Sequence, residues 1–154
     1  SISFIDDLSG LYNRKYMNHY LDKLQNDKPK RAYGFLMDIN DFKTINDIYG
    51  HLKGDQAIIQ FGKILQHSID KDSVAIRMGG DEFVIFAILK SNEEALALKK
   101  RIEQNVRQFN TNSTEPFHLS FSIGIAKYSG NIETFLSSMD DSMYEAKNMH
   151  RLMH

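Results

Sequence analysis

Apolar residues recur along this 154-residue chain with two periods, and the alternation between them predicts the order of its elements. Tyr16, Met17, Tyr20, Leu21 and Leu24 fall at helical spacing, predicting an amphipathic helix that fades near Asn26-Asp27. After a Lys28-Pro29-Lys30 linker, residues 31–38 form a largely apolar run of strand length, as a buried central strand requires. A short helix through Ile45 and Ile48 should stop at Gly50. Gly54-Asp55 should open a second helix with Ala57, Ile58, Phe61, Ile64 and Leu65 on its core face. Val74-Ala75-Ile76 and Val84-Ile85-Phe86-Ala87 read as two strands joined at Gly79-Gly80 and ending near Leu89. Ser91 and Glu94 form a capping box for a helix to about Phe109, with Ala95, Leu98, Ile102 and Val106 inward. Residues 110–116 read as a polar loop, residues 117–126 alternate as a half-buried strand, and a last helix spans about 132–149. The order is helix, strand, two helices, hairpin, helix, strand, helix. It predicts an α+β domain with a split βαβ, ferredoxin-like core, a central mainly antiparallel sheet flanked by helices. With no internal repeat, low-complexity segment or composition break, residues 1–154 read as one domain.

The chemistry concentrates where two of these strands meet. In Arg77-Met78-Gly79-Gly80-Asp81-Glu82-Phe83 the glycines supply the positive φ that a tight turn needs. They also allow a phosphate to approach the main chain closely. Asp81 and Glu82 sit at or just past the turn, where they are either surface acids at a hairpin tip or part of a site. Successive strand side chains face opposite ways, so the two need not point together.

Composition narrows the choice. The chain is 42% hydrophobic and 25% charged with a net charge of −1, so no overall basic field draws it to nucleic acid. It has no cysteine, which excludes disulfides and thiolate metal sites. No apolar run approaches the ~20 residues of a membrane span, and no signal-peptide pattern opens the chain. The expectation is a soluble, cytoplasmic segment without membrane contact of its own, whose parent protein can still be membrane-anchored.

Four further blocks give the hairpin a context. The stretch from Asp38-Ile39-Asn40-Asp41-Phe42-Lys43 through Asn46-Asp47, Gly50-His51 and Gly54-Asp55 matches the pattern D-x-[DN]-x-F-K-x-I-N-D-x-x-G-H-x-x-G-D. Asp7-Leu8-Ser9-Gly10-Leu11-Tyr12-Asn13-Arg14 is similar to D-x-L-T-G-L-x-N-R, and Ser122-Ile123-Gly124-Ile125-Ala126 and Tyr144-Glu145-Ala146-Lys147 with Arg151 supply the remaining landmarks. Together with Gly79-Gly80-Asp81-Glu82-Phe83, these blocks resemble the GGDEF family, the diguanylate cyclases, from about Asp7 to Arg151.

The resemblance implies a nucleotidyl-cyclase (palm-like) fold and the condensation of two GTP molecules into cyclic di-GMP with release of two pyrophosphates. It implies Mg²⁺, with Mn²⁺ as a substitute, held by Asp38, the Ile39 carbonyl and Asp81, with Glu82 essential alongside and Gly79 and Gly80 shaping the catalytic turn. Such a metal suits hard carboxylate oxygens completed by substrate phosphates. If Asp38 ends the central strand and the hairpin strands flank it, these acids meet at one sheet end. Otherwise Asp38, Asn40 or Asp41 is a helix N-cap. The resemblance makes Asn46 and Asp55 the guanine readers. An ionised aspartate accepts the two adjacent donors of guanine, where adenine offers an acceptor. The plainer alternatives are a turn asparagine and a capping aspartate. Phe42 and Lys43 would meet phosphate at a helix start. Lys147 and Arg151, four apart, would neutralise the triphosphate or simply compensate a helix dipole. Which acidic group takes the 3′-hydroxyl proton stays open.

The family reading also expects a homodimer, each subunit holding one GTP, and an upstream sensor or dimerisation domain, this segment being the C-terminal catalytic part of a longer chain. Three departures stand out. The product-inhibition motif R-x-x-D would fall at 70 and 73, where this chain has Asp70 and Ser73. His150 stands where the family usually has glycine, which bears on Arg151, and the chain given stops at His154. His150 and His154 have a metal-binding spacing but lie at the end of the chain, and His51 reads as a structural loop residue. One rival is a silent GTP-binding regulatory module of the same fold. A second, an RNA-binding ferredoxin-like domain, lacks a basic face and the aromatic strand pattern.

Overall fold

The structure, a computed structural model, describes residues 2–154. Helix α1 (Arg14–Asp27) begins at Asn13, whose side chain accepts from Tyr16 N, and ends at Lys28 in the left-handed region. Strand β1 (Ala32–Ile39) follows, then α2 (Phe42–Tyr49), α3 (His51–Ser68), the hairpin β2 (Val74–Gly79) and β3 (Glu82–Ile88), α4 (Asn92–Asn112), β4 (Phe121–Lys127) and α5 (Ile132–Met153). The element order is the predicted one. The sheet runs β2-β3-β1-β4 with every neighbouring pair antiparallel. That is the split βαβ, ferredoxin-like order, with α1 and α5 added.

Strand β1 is buried along its whole length because both faces are covered, which is why its sequence is nearly continuous in apolar residues. Phe35, Met37 and Ile39 face the α3–α4 layer with Phe61, Leu65, Leu98 and Ile102. Leu36 faces α1 and α5 with Leu21, Phe86, Phe135 and Met139. By the two-residue period Asp38 belongs to the second face, and α5 packs against it. Met17, Met37, Met139 and Met143 fill core positions, as thioethers can in irregular gaps.

Two glycines set the height of α5 over the sheet. A Cβ on Gly124 of β4 would fall 2.5 Å from the Met139 carbonyl oxygen, and one on Gly34 of β1 would fall 2.7 Å from the Phe135 ring. No Cβ-bearing residue fits at 124 without moving helix backbone.

Several predicted boundaries shift, each for a local reason. α3 begins at His51, not at Gly54, because the Gly50 carbonyl already accepts from Lys53 N and Gly54 N at 3.1 Å each. Gly54 is interior, and a Cβ there would run into the Asn46 side chain. α4 continues to Asn112, so residues 110–112 are helix rather than loop. Residues 117–120 are not strand: Phe117 and Leu119 are buried, but Leu119 N and O bond the Asn110 side chain at 2.8 and 2.7 Å instead of a neighbouring strand. The hairpin turn is Gly80-Asp81, not Gly79-Gly80, since Gly79 still pairs with Glu82 beyond a bulge. In the capping box, Ser91 Oγ accepts from Glu94 N at 3.3 Å, while the Glu94 carboxylate takes Lys90 N rather than Ser91 N. Last, α5 reaches Met153, past the expected Met149, so Lys147 and Arg151 share a continuous helix.

Candidate active site

At one end of the sheet three strands deliver polar side chains to the face that α5 covers. Asp38 is directly opposite Glu82 on β3 and opposite Ser122 on β4. Partners in register share a face, so Asp38 and Glu82 are side by side, an arrangement that like charges disfavour unless a cation joins them. Asp81, in the turn, is tied to the same strand end by its carbonyl, which accepts from Ile39 N at 3.3 Å. Asp38 and the Asp81-Glu82 pair therefore meet at one place, and Asp38 is no helix cap. The cap position of α2 belongs to Asp41, which has φ 56° and makes no side-chain cap bond.

Asp38 is 8% exposed, and its two oxygens differ. Oδ2 lies 2.5 Å from Lys147 Nζ on α5, while Oδ1 is buried with no hydrogen-bond partner. Burial pushes the Asp38 carboxyl above its usual range. Lys147, and more weakly His150, oppose that shift, whereas the neighbouring Asp81 charge adds to it. The cluster thus holds an orphaned buried oxygen and more negative charge than Lys147 offsets. A divalent cation bound through Asp38, the Ile39 carbonyl, Asp81 and Glu82 fits this donor set. Among the described residues no three acidic or histidine side chains gather to chelate a metal alone. The remaining ligands of such a cation must then come from elsewhere, as substrate phosphates do for Mg²⁺.

The signature turn is held from behind. Arg77 Nε donates to the Gly80 carbonyl at 2.9 Å, and Arg77 Nη1 pairs with Asp6 Oδ1 at 3.1 Å. Asp6 Oδ2 also accepts from Ser9 N and Oγ at 2.8 and 2.7 Å. Burial raises the Asp6 carboxyl, but the Ser9 bonds and then Arg77 together bring it below its usual value. Arg14 Nε donates to the Met78 carbonyl at 3.3 Å. So Asp6, one residue before the start of the predicted block at Asp7, is the aspartate that works there. Gly79 and Gly80 take φ 147° and 52°, with nothing within 4 Å of a Cβ built on either, leaving the turn open for close approach. On the far side Asn40 is buried, its Oδ1 accepting from Ser122 Oγ at 2.7 Å and its Nδ2 donating to Ser120 Oγ at 2.9 Å. That network fixes the strand end bearing Asp38 and Ile39.

The other predicted residues are placed as follows. Asn46 on α2 lies against Gly54, beside Asp55 in the chain, and both side chains are half-buried. Asp55 is in the second turn of α3 and caps nothing. It lines an open concavity of 560 Å³ with Leu8, Leu52, Gln56, Ile59 and the Lys53–Glu115 pair. Phe42 opens α2 half-buried, and the exposed Lys43 ammonium is 2.8 Å from Asp47. Arg151 is exposed and donates to Asn148 Oδ1 at 3.2 Å. His150 Nε2 is 3.4 Å from Asp41 Oδ2, and the His150 and His154 rings are 4.4 Å apart. His51 is the exposed first residue of α3, not a loop residue. Sequence reasoning gave no role to Asp6, Arg77 or the Asn40–Ser122 bond. Two signals were available: Arg77, two residues before the paired glycines, and the nine-position pattern D-x-L-T-G-L-x-N-R, whose aspartate falls on Asp6 when its last residue is Arg14.

Comparison with known proteins agrees with this architecture. Residues 3–152 match the family described as "Diguanylate cyclase, GGDEF domain", and the chain belongs to it. It is 32% identical over 148 residues to diguanylate cyclase DgcM of Escherichia coli K12, covering 93% of this chain and 36% of that protein. With the response regulator PleD of Caulobacter vibrioides it shares 32% identity over 159 residues, 95% of this chain and 34% of PleD. The chain thus spans about a third of the length of these relatives. The isolated GGDEF domain of TpbB (YfiN) from Pseudomonas aeruginosa superposes with a TM-score of 0.83 at 28% identity, covering 94% of this chain and 89% of that one. The fold is also that of the GGDEF domain of Caulobacter crescentus DgcB, solved in complex with c-di-GMP. That TM-score is 0.81 at 22% identity, covering 97% and 90%. No helix among the described residues is long and apolar enough to cross a membrane.

Proposed function

We propose that this domain is a diguanylate cyclase, the catalytic part of a longer sensor protein, condensing two GTP into cyclic di-GMP and two pyrophosphates across an antiparallel homodimer. The observation that carries it is Asp38, buried with one bare oxygen, in register with Glu82 and joined through Ile39 to Asp81. Bound Mg²⁺, or Mn²⁺ in its place, supplies neutralisation of the triphosphate and of the charge that develops on the leaving oxygen. Asp38, the Ile39 carbonyl, Asp81 and Glu82 hold it. Asn46 and Asp55 read the guanine edge, and the α2 main chain at Phe42 and Lys43 receives phosphate. Lys147 and Arg151 add positive charge, and the open Gly79-Gly80 turn lets the nucleotide lie against the backbone.

Each 3′-oxygen bonds to the α-phosphorus of the GTP in the other subunit. The bond from that phosphorus to the β-bridging oxygen breaks, and pyrophosphate leaves with the electron pair. The hydroxyl proton passes to an acidic group at this sheet end or to solvent. One subunit carries half of the reacting atoms, so holding two nucleotides in line is much of the catalysis.

Product feedback through the 70–73 turn is absent from this proposal. Asp70 there accepts from Ser73 Oγ at 3.0 Å and from Asp72 N at 3.0 Å, closing a turn that offers no guanidinium.

Incubation with Mg²⁺ and GTP, followed by chromatography of the nucleotides, tests the reading. Cyclic di-GMP and pyrophosphate are expected. GTP recovered bound but unchanged would overturn it in favour of a silent GTP-binding module.

A further inference from the structure

Lys147 is the strongest positive charge brought to the acidic end of the sheet, and it is already occupied. Its side chain is 31% exposed, and its ammonium sits on Asp38 Oδ2. The groups facing Asp38 from the packed elements are Glu82 of β3, Ser122 of β4, Asp81 of the turn and His150 of α5. Asp38 Oδ1 has no partner among them. A cation entering at Oδ1 would stand one carboxylate's width from the ammonium. Two cations at that spacing repel strongly in a partly desolvated site, so they compete for one carboxylate. Lys147 can vacate. It is not locked into the core, and a phosphate arriving at the same helix face alongside Arg151 is an alternative acceptor for its three donors.

We propose that Lys147 is an internal counter-ion of Asp38 that a divalent cation displaces, the ammonium passing from the carboxylate to the incoming phosphate. This rests on the nucleotide-condensing reading of the same site. Two consequences follow from linkage. Lys147 weakens cation binding when no phosphate is present, and it makes cation and nucleotide binding mutually reinforcing, because the nucleotide that takes the ammonium frees Asp38.

The test is Mn²⁺ binding without nucleotide, read from the electron paramagnetic resonance signal of free Mn²⁺, for the wild type and for Lys147→Met, Lys147→Gln, Lys147→Arg and Asp38→Asn. Lys147→Met and Lys147→Gln are expected to bind Mn²⁺ roughly tenfold more tightly, the scale of one like charge removed at close range. Lys147→Arg should stay near the wild type, and Asp38→Asn should lose the site. Mg²⁺ should also raise the melting temperature of Lys147→Met more than that of the wild type. Unchanged or weaker Mn²⁺ binding in both neutral variants overturns the exchange. If the wild type still makes cyclic di-GMP, that result leaves the functional reading standing. Absence of Mn²⁺ binding with and without Lys147 overturns the exchange and the metal-site assignment together.

Discussion

Asp38 sits between Met37 and Ile39, both fully buried, and its carboxyl is raised by burial and by Asp81. A purely structural chain has little reason to keep such a group: an isolated buried charge is costly, and breaking its single pair with Lys147 would leave it uncompensated. The proposed function explains the placement, because a buried, perturbed carboxyl beside further acidic side chains at one end of a sheet is what cation and phosphate chemistry needs. Asp6 is the opposite case. Its carboxyl lies below its usual value of 3.8, and the bonds from Ser9 and Arg77 exist only in the folded chain. For a lowered folded pKa, the stability it contributes is fully present above the unfolded value and is lost as pH falls through the folded one. Asp6→Asn should therefore be less stable than the wild type at pH 7, by about 1 kcal/mol once solvent screening of this partly exposed charged hydrogen bond is counted. The gap should close as pH drops below 3.8, which thermal melts at stepped pH would show. A gap that stays constant down to low pH would rule out the Arg77 clamp as an ionic one.

Among the elements, α5 matters most to the site because it carries Lys147, His150 and Arg151. Its seat is Gly124, where a Cβ meets helix backbone. At Gly34 a Cβ meets mainly the Met139 and Phe135 side chains, which can move. Gly124→Ala should thus cost about 3 kcal/mol by overpacking, and Gly34→Ala clearly less, as measured by thermal or denaturant unfolding. Equal losses would mean that α5 is free to slide over the sheet.

The elements themselves were legible because period and capping are local: Ser91 and the apolar run before Asp38 each announce what they do. What was not legible depended on partners far along the chain. Gly54 looked like a helix opener, whereas it is a gap for Asn46. Residues 117–120 alternated like a strand, because alternation reports burial and not where the hydrogen bonds go. The Arg77–Asp6 bond joins residues 71 apart, and no local pattern encodes it. The acidic cluster was anticipated through Asp38, Asp81 and Glu82, but not the half-satisfied state of Asp38, which only the packing of α5 creates.

For the whole molecule, the two-fold symmetry of the proposed product sets the expectation. A single copy offers one Asp38–Glu82 end and one Asn46–Asp55 pair, so in the proposed reaction turnover would need two copies facing each other. If the isolated domain associates weakly, synthesis should rise more steeply than linearly with protein concentration. Strict proportionality down to nanomolar protein would contradict assembly as a step in turnover. Where assembly limits turnover, the upstream segments proposed for the parent chain would act by raising the effective concentration of the two halves.

The most direct measurement is cyclic di-GMP formation from Mg²⁺ and GTP by the wild type beside Glu82→Ala and Asp81→Ala, with circular dichroism on each. Both positions lie at a solvent-facing turn, Glu82 exposed and Asp81 half-buried, so both variants should remain folded. The expected result is native spectra with synthesis reduced by a factor of roughly 100 or more, the scale of losing a group that acts in the transition state. Wild-type-like synthesis by Glu82→Ala would contradict the assignment of this sheet end as the catalytic centre.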